Sequence, residues 1–406
     1  MIAGFDPASP DFAGNPWAGY QALRARDDLP FWDDFGGYLV ARYDDIRQIA
    51  LDRRMVRGTQ AFASADQRRA MQRAANFHDM PFHERFVQTS MLEIDGPDHD
   101  RLRKAVFPFF TKTRLEGLRG WVSDHVTAQL DRALGAGRID FIADLAADLP
   151  AQVIGRLIGT PPDMARIMVG WSEDVVSYFD VDRTPAKKAR AEEATRLFHD
   201  LLQDLCRARR AKPQDDLTTA LLQVRVEGRL TEDELIATLM QLLHAGHGST
   251  VDAMGNAMNA LLDHPDQMAL LRDDPTLMPG AVQESFRYAA PLPFFHRYAA
   301  KDLTILGRDW PQGTKFGLLY ASANRDPAAF ANPDRFDITR RPNVHLAFGQ
   351  GAHVCLGNNL ARLNMEILFG QLLTRTRQIG RCGPVRWKPG LQAHGPVALP
   401  VTLIPA

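Results

Sequence analysis

Cysteine is almost missing from this chain. Only Cys206, Cys355 and Cys382 occur in 406 residues, with no Cys-x-x-Cys pair. That scarcity argues against a disulfide scaffold and against a tetrahedral zinc site built from thiolates. Net charge is missing too: 48 basic against 49 acidic side chains leave a formal −1, which gives no support to nucleic-acid binding. No run approaches the roughly 18 apolar residues that a membrane span requires. The stretch Met1 to Pro16 is short of positive charge and carries Asp6, Pro7, Pro10 and Asp11, so it reads as neither signal peptide nor anchor. No internal repeat or low-complexity segment stands out. These absences predict a cytoplasmic enzyme with no membrane and no nucleic-acid partner.

A composition 45% hydrophobic is ample for a large core. Gly37 to Ala41 reads as a strand and Asp44 to Leu51 as a helix. Residues 59–90 look irregular, but Phe77, Phe82 and Phe86 argue that part of this loop packs over something apolar. From Val122 the pattern is largely helical. Thr231 with Glu234 three residues later forms a capping box, and one long central helix is predicted to run to about Leu262. After Pro275 comes a helix with Glu284 and Arg287, then short strands to about Tyr320. Residues 321–347 form a meander that must be fixed by specific polar contacts. The tail from Pro396 to Leu403 alternates as a hairpin would. On pattern alone, residues 1–406 read as a mixed, helix-dominated single domain.

One cysteine stands in unusual company. The run is Phe348-Gly349-Gln350-Gly351-Ala352-His353-Val354-Cys355-Leu356-Gly357, followed by helical periodicity from Asn358 to Phe369. By position alone Cys355 is either a buried structural cysteine or a thiolate ligand at the mouth of a helix. Glycines let backbone pass close to a flat group, and amide donors with the positive helix end hold a thiolate. The full run resembles the cysteine loop of cytochrome P450 at Phe348, Gly349, Gly351, His353, Cys355 and Gly357. The resemblance implies heme b (iron protoporphyrin IX), with Cys355 as the axial metal ligand and Phe348, Gly349 and Gly357 shaping the loop around it. A thiolate ligand pushes electron density onto the iron and favours O–O cleavage, behaviour for which cytochromes P450 are the usual example. The implied fold is mostly α with small β-sheets: a triangular prism with heme between the central oxygen-binding helix and the helix after the cysteine loop.

Other segments follow in the family's order. His99 and Arg103 lie four apart on one helical face. Alone they fit a solvated surface, but Gly96-Pro97-Asp98-His99-Asp100-Arg101-Leu102-Arg103 resembles the P450 helix that sends histidine and arginine to the heme propionates. Arg297 and His353 fall where the family supplies further propionate partners, and charge-assisted hydrogen bonds suit that task. Arg101 is expected to face solvent, near a docking partner. Glu284 and Arg287 resemble the Glu-x-x-Arg motif, with Arg335 as the expected third member tying the meander down. Ala245-Gly246-His247-Gly248-Ser249-Thr250 reads as close packing or, by resemblance, as the oxygen-binding segment, where a widened turn frees a carbonyl beside a hydroxyl. The family has an acid followed by threonine there. This chain has Gly248 and Ser249, which puts the usual proton route in doubt; Ser249, water, or a substrate group is left to replace it. Asp252 lies a turn further on, and His247 is expected to face away.

The resemblance implies a monooxygenase inserting one oxygen atom from O2 into an apolar or aromatic small organic substrate, by hydroxylation or O-demethylation. The catalytic segment would be Ala245, Gly246, Gly248 and Ser249. No flavin or nicotinamide domain follows Ala406 and no iron–sulfur cysteine set occurs. Electrons are therefore expected from a separate ferredoxin or flavodoxin with its NAD(P)H-dependent reductase. The alternatives are a hydrogen-peroxide-dependent peroxygenase and a non-catalytic heme-binding sensor or carrier. Phe77, Phe82, Phe86, Leu242, Leu243, Ala245, Phe294, Phe295 and the turn from Leu391 to His394 are the expected pocket, with His394 or His296 giving a polar contact.

Overall fold

The computed structural model describes residues 5–180 and 183–406. Strands β1 (Phe31–Trp32), β2 (Gly37–Val40), β3 (Met55–Val56), β4 (Phe294–Ala299) and β5 (Lys315–Leu319) form one sheet in the order β1-β2-β5-β4-β3. The β2–β5 contact is parallel and the others antiparallel, so the sheet joins strands between Phe31 and Val56 to strands between Phe294 and Leu319. Helix α1 (Tyr43–Leu51) returns from β2 toward β3 with Ile46 and Ile49 fully buried.

The stretch expected to be irregular contains two helices, α2 (Ala65–Ala74) and α3 (Pro81–Thr89). Ser64 and Gln67 close a capping box on α2, and Pro81 at the first turn starts α3. Both are short and polar on one side, which hid them behind the phenylalanines. Phe86 is buried, while Phe77 and Phe82 are half-buried.

Helices α4 (Gly96–Val106), α5 (Arg119–Ala136), α6 (Asp148–Ile158), α7 (Ala165–Ser177) and α8 (Pro185–Ala211) follow, and their apolar faces build the largest core cluster. The expected capping box of Thr231 and Glu234 opens α9 (Glu232–Ala245). The single long helix is corrected. It breaks at Gly246–His247 and resumes as α10 (Gly248–Asp263). His247 leaves helical geometry (φ −104, ψ −77) while its Nε2 donates to the Ala147 carbonyl at 3.0 Å, next to α6. At Gly246 a Cβ would lie 2.9 Å from the Ile154 side chain, so only glycine lets α9 approach α6 this closely.

Helix α11 (Met278–Tyr288) carries the buried pair Glu284 and Arg287, joined at 2.8 Å through both Nε and Nη2. Arg287 also donates to the carbonyls of Asn324, Pro333 and Arg335, and Glu284 accepts the Asp337 amide. The meander is thus held by its own backbone. The expected third member is corrected: the Arg335 side chain is exposed, and Arg340 reaches Glu284 at 3.2 Å instead.

The tail is not a hairpin. Pro396–Ala398 pairs with Arg386–Trp387, whereas Pro400–Pro405 runs between Arg138–Asp140 and Thr376–Arg381. Leu399, fully buried, donates its amide to the Asp140 carboxylate and accepts the Phe141 amide at its carbonyl, carrying the chain from one sheet to the next.

Candidate active site

The Cys355 loop lies between the meander and α12 (Asn358–Arg375). The Cys355 amide donates to the Phe348 carbonyl at 2.8 Å, and the Val354 amide to Gly351 at 3.2 Å. Gly351 takes φ +77, and a Cβ there would collide with the Ala50 carbonyl oxygen, so glycine is required twice over. Phe348 packs on Phe286, ring centroids 4.5 Å apart, with the Arg362 guanidinium 4.7 Å from its ring. Asn358 donates its side-chain amide to the Cys355 carbonyl at 2.7 Å. Burial pushes the Cys355 thiol up; the Gly357 amide, Arg103, Arg362 and the Asn358 amide all favour the thiolate.

Helix α4 brings His99 and Arg103 to this loop. His99 is buried with its ring centroid 4.4 Å from that of His353, and Arg103 Nη2 donates to the Val354 carbonyl at 2.8 Å. His353 Nε2 donates to Asp95 at 2.8 Å. Burial lowers that imidazole to about 4, with Asp95 opposing. Asp95, the N-cap residue of α4, also accepts the amides of Arg57 and Gly58, each at 2.8 Å. Arg297, buried in β4, senses Asp95 and Glu93. His353 and the amides of Arg57 and Gly58 therefore gather on one carboxylate, Asp95, that sequence reading did not single out. A carboxylate directly before Gly96-Pro97, where a helix begins, was its signal. Arg362, one turn into α12, gave none. Arg101 is corrected: it binds Glu234 at 2.6 Å, Asp98 at 2.9 Å and the Arg229 carbonyl at 2.7 Å, tying α4 to the start of α9.

At the helix break Ala245 is exposed although His244 and His247 beside it are buried. Ser249 Oγ donates to the Ala245 carbonyl at 3.3 Å. A Cβ on Gly248 would meet no atom within 4 Å, so the missing acid is not replaced by packing. His247 is committed to Ala147, and Asp252 is held by Lys388 at 2.6 Å. Burial nevertheless pushes the Asp252 carboxyl up to about 6, with Lys388 opposing.

The expected pocket residues divide. Leu242 and Leu243 are buried in the main core, and Phe86 lies 5.3 Å from His244. Side chains alternate along β4, so Phe294 and Phe295 face opposite sides. Phe294 packs on Phe35 within the sheet core, and Phe295 lies under Arg57. His394 stacks on Trp387 at 5.1 Å with Trp17 at its edge, and Leu391 joins the cluster of Phe5 and Phe12. His296 contacts Arg57. Phe294, Leu391 and His394 are thus structural, because an aromatic-rich amino terminus claims them.

An iron porphyrin fits the remaining set. Cys355 offers the single thiolate that a porphyrin-bound iron takes, and among the described residues no group of three or more His, Cys, Asp or Glu side chains could hold a metal ion. The basic donors beside that thiolate suit propionates, and the opening at Ala245 and Gly248 gives room. No helix among the described residues is long and apolar enough to cross a membrane.

Comparison with known proteins agrees. The family model "Cytochrome P450" matches residues 172–377. The chain is 36% identical to Cytochrome P450 107B1 of Saccharopolyspora erythraea, over 94% of this chain and 91% of that protein. It is also 36% identical to the Vitamin D(3) 25-hydroxylase of Pseudonocardia autotrophica, over 90% and 88%. The crystal structure of P450BioI in complex with hexadec-9Z-enoic acid ligated acyl carrier protein superimposes with a TM-score of 0.90 at 32% identity, covering 98% of this chain and all of that one. With fold, cysteine loop and near full-length relatives in agreement, the chain belongs to the cytochrome P450 family of heme b monooxygenases.

Proposed function

We propose that this protein inserts one oxygen atom from O2 into an apolar or aromatic small molecule, by hydroxylation or, at an O-methyl carbon, by O-demethylation. The observation that carries the reading is the half-buried Cys355 with the Gly357 and Asn358 amides directed at its sulfur. Those amides and Arg103 oppose the burial that raises the thiol, and so favour the thiolate that would ligate the iron. Phe348 and Gly349 fix the shape of the loop. His99, Arg103, Arg297 and His353 would hold the heme propionates. When bound, the heme supplies oxygen activation and oxidising power. The protein's work is placement, water exclusion and proton handling. Ser249 offers a hydroxyl whose proton rests on the Ala245 carbonyl, and Gly246 with Gly248 keeps that segment open. Electrons would come from a separate ferredoxin or flavodoxin with its reductase.

The test is the carbon monoxide complex of the reduced protein, whose Soret band is strongly red-shifted when the opposite ligand is a thiolate. Cys355→Ser should lose that band; its survival would remove Cys355 as the ligand. A second reading, peroxide-driven oxygenation, has one observation in its favour. Gly248 brings no acid, while Asp252 and His247 are engaged elsewhere. Hydrogen peroxide supplies both the oxygen and the protons that route lacks.

A further inference from the structure

The sequence points to His394 or His296 for a polar contact in the pocket, and both are engaged elsewhere. Another polar pair stands beside the opening at Ala245. On α9, Gln241 lies three residues before His244 and four before Ala245, so its side chain neighbours both. Contacts tie the pair to the end of α3. Ser90, which closes that helix, hydrogen-bonds Gln241, and Phe86 meets the His244 ring in a T-shaped contact with centroids 5.3 Å apart.

Both side chains are more than nine-tenths buried, Gln241 at 8% exposure and His244 at 5%. Neither is satisfied. His244 has no hydrogen-bond partner at Nδ1 or Nε2 among the described residues. Burial lowers its imidazole to about 4, so at neutral pH the uncharged ring offers one N–H donor and one lone pair. Gln241 is half used. Ser90 Oγ, which already accepts the Leu92 amide, donates to Gln241 Oε1 at 2.8 Å. That bond turns the amide oxygen to Ser90 and leaves the NH2 group without an acceptor among the described residues. Buried polar groups are nearly always paired, and an unpaired donor is costly until something brings it an acceptor. Core packing alone does not call for such a histidine, since a phenylalanine would fill the place without that cost.

We propose that Gln241 and His244 form the polar end of the substrate pocket and take the carbonyl oxygen of an otherwise apolar substrate. The proposal deepens the oxygenase reading and rests on it. The Gln241 NH2 and the His244 N–H both donate to that oxygen, and a two-point contact beside Ala245 decides which carbon is turned to the opening. Calorimetric titration of the heme-loaded protein with benzophenone against diphenylmethane, fluorenone against fluorene and α-tetralone against tetralin tests it, each pair differing by one carbonyl. At least one ketone should bind about tenfold or more tightly than its hydrocarbon, because only the ketone satisfies both donors. Gln241→Met and His244→Phe, which remove the donors and keep the bulk, should each reduce that preference while leaving hydrocarbon affinity in place. The idea is overturned if no ketone outbinds its hydrocarbon tenfold, or if both variants keep the preference. The carbon monoxide spectrum is recorded on the same samples. Loss of its red-shifted band would count against the Cys355 assignment, a result separate from the ketone preference.

Discussion

Ser249 has one acceptor for its hydroxyl, the Ala245 carbonyl, and stands beside a glycine where relatives' resemblance leads one to look for an acid. Proton delivery then leans on that single hydroxyl and on water. Ser249→Ala should keep heme and ligand binding but lower the product formed per NADH consumed several-fold, with more peroxide released. Supplied hydrogen peroxide should recover part of the loss. An unchanged ratio of product to NADH would make the hydroxyl dispensable. At the other face Arg103 and Arg297 are the strongest donors available to propionates. A charge-assisted hydrogen bond contributes about 1.5–3 kcal/mol, so heme loss should quicken about tenfold or more in Arg103→Ala and Arg297→Ala, and further in the double variant. His99→Ala should cost less while Arg103 remains. Transfer of heme to apomyoglobin reads all of these, and an unaltered rate in the double variant would exclude both arginines.

Between elements, the meander hangs on α11. Removing Arg287 takes from the fully buried Glu284 its two-point ion-pair partner and leaves it Arg340, Asn343 and the Asp337 amide, which costs about 3 kcal/mol. Arg340 is nearly as buried but shares Glu284 with other donors, so Arg340→Gln should cost about 1–2 kcal/mol. Arg335→Gln, with its side chain in solvent, should stay within about 0.5 kcal/mol. Urea unfolding orders the three; a costly Arg335→Gln would restore the arginine the sequence suggested. The mistake is instructive. Glu284 and Arg287 were readable because both sit on one helix, where spacing fixes neighbours. Their partner lies in a loop without periodicity, and no spacing separates Arg335 from Arg340. The Cys355 run, the His99 and Arg103 face and the Thr231 cap were legible for the same reason, being local. Phe294 and His394 were misjudged because their surroundings come from residues hundreds of positions away, Phe35 and Trp17. The helix break escaped notice because its cause, the Ala147 carbonyl, belongs to another segment.

Across the whole molecule, burial lowers seven imidazoles outside the cysteine loop: His83 and His345 to about 3, His244 and His394 to about 4, His296 well below its usual value, and His99 and His247 in the same direction. The unfolded chain takes up these protons near the usual value of about 6.5 while the folded chain refuses them, so stability is complete above that value and falls below it, by about 1.4 kcal/mol per pH unit for each ring. Asp252, pushed up to about 6, has the opposite sign between its ordinary value and about 6, as do Asp45, Glu93 and Glu366, whose carboxyls burial also raises, but the lowered rings outnumber them. The melting temperature should therefore hold steady above about pH 7 and drop steeply below about pH 6. A flat profile through that range would show that these rings are not held neutral. The break at Gly246–His247 has a reach of its own. Helix α9 packs chiefly on α3, α7 and α8, whereas α10 packs chiefly on α11 and the segment Ile142–Ala146. The two halves therefore answer to different neighbours. Substitutions accumulating in α3 or α8 can reshape one wall without dragging α10 along, so a lineage built on this frame is free to change its guest while the seat of its chemistry stays inherited.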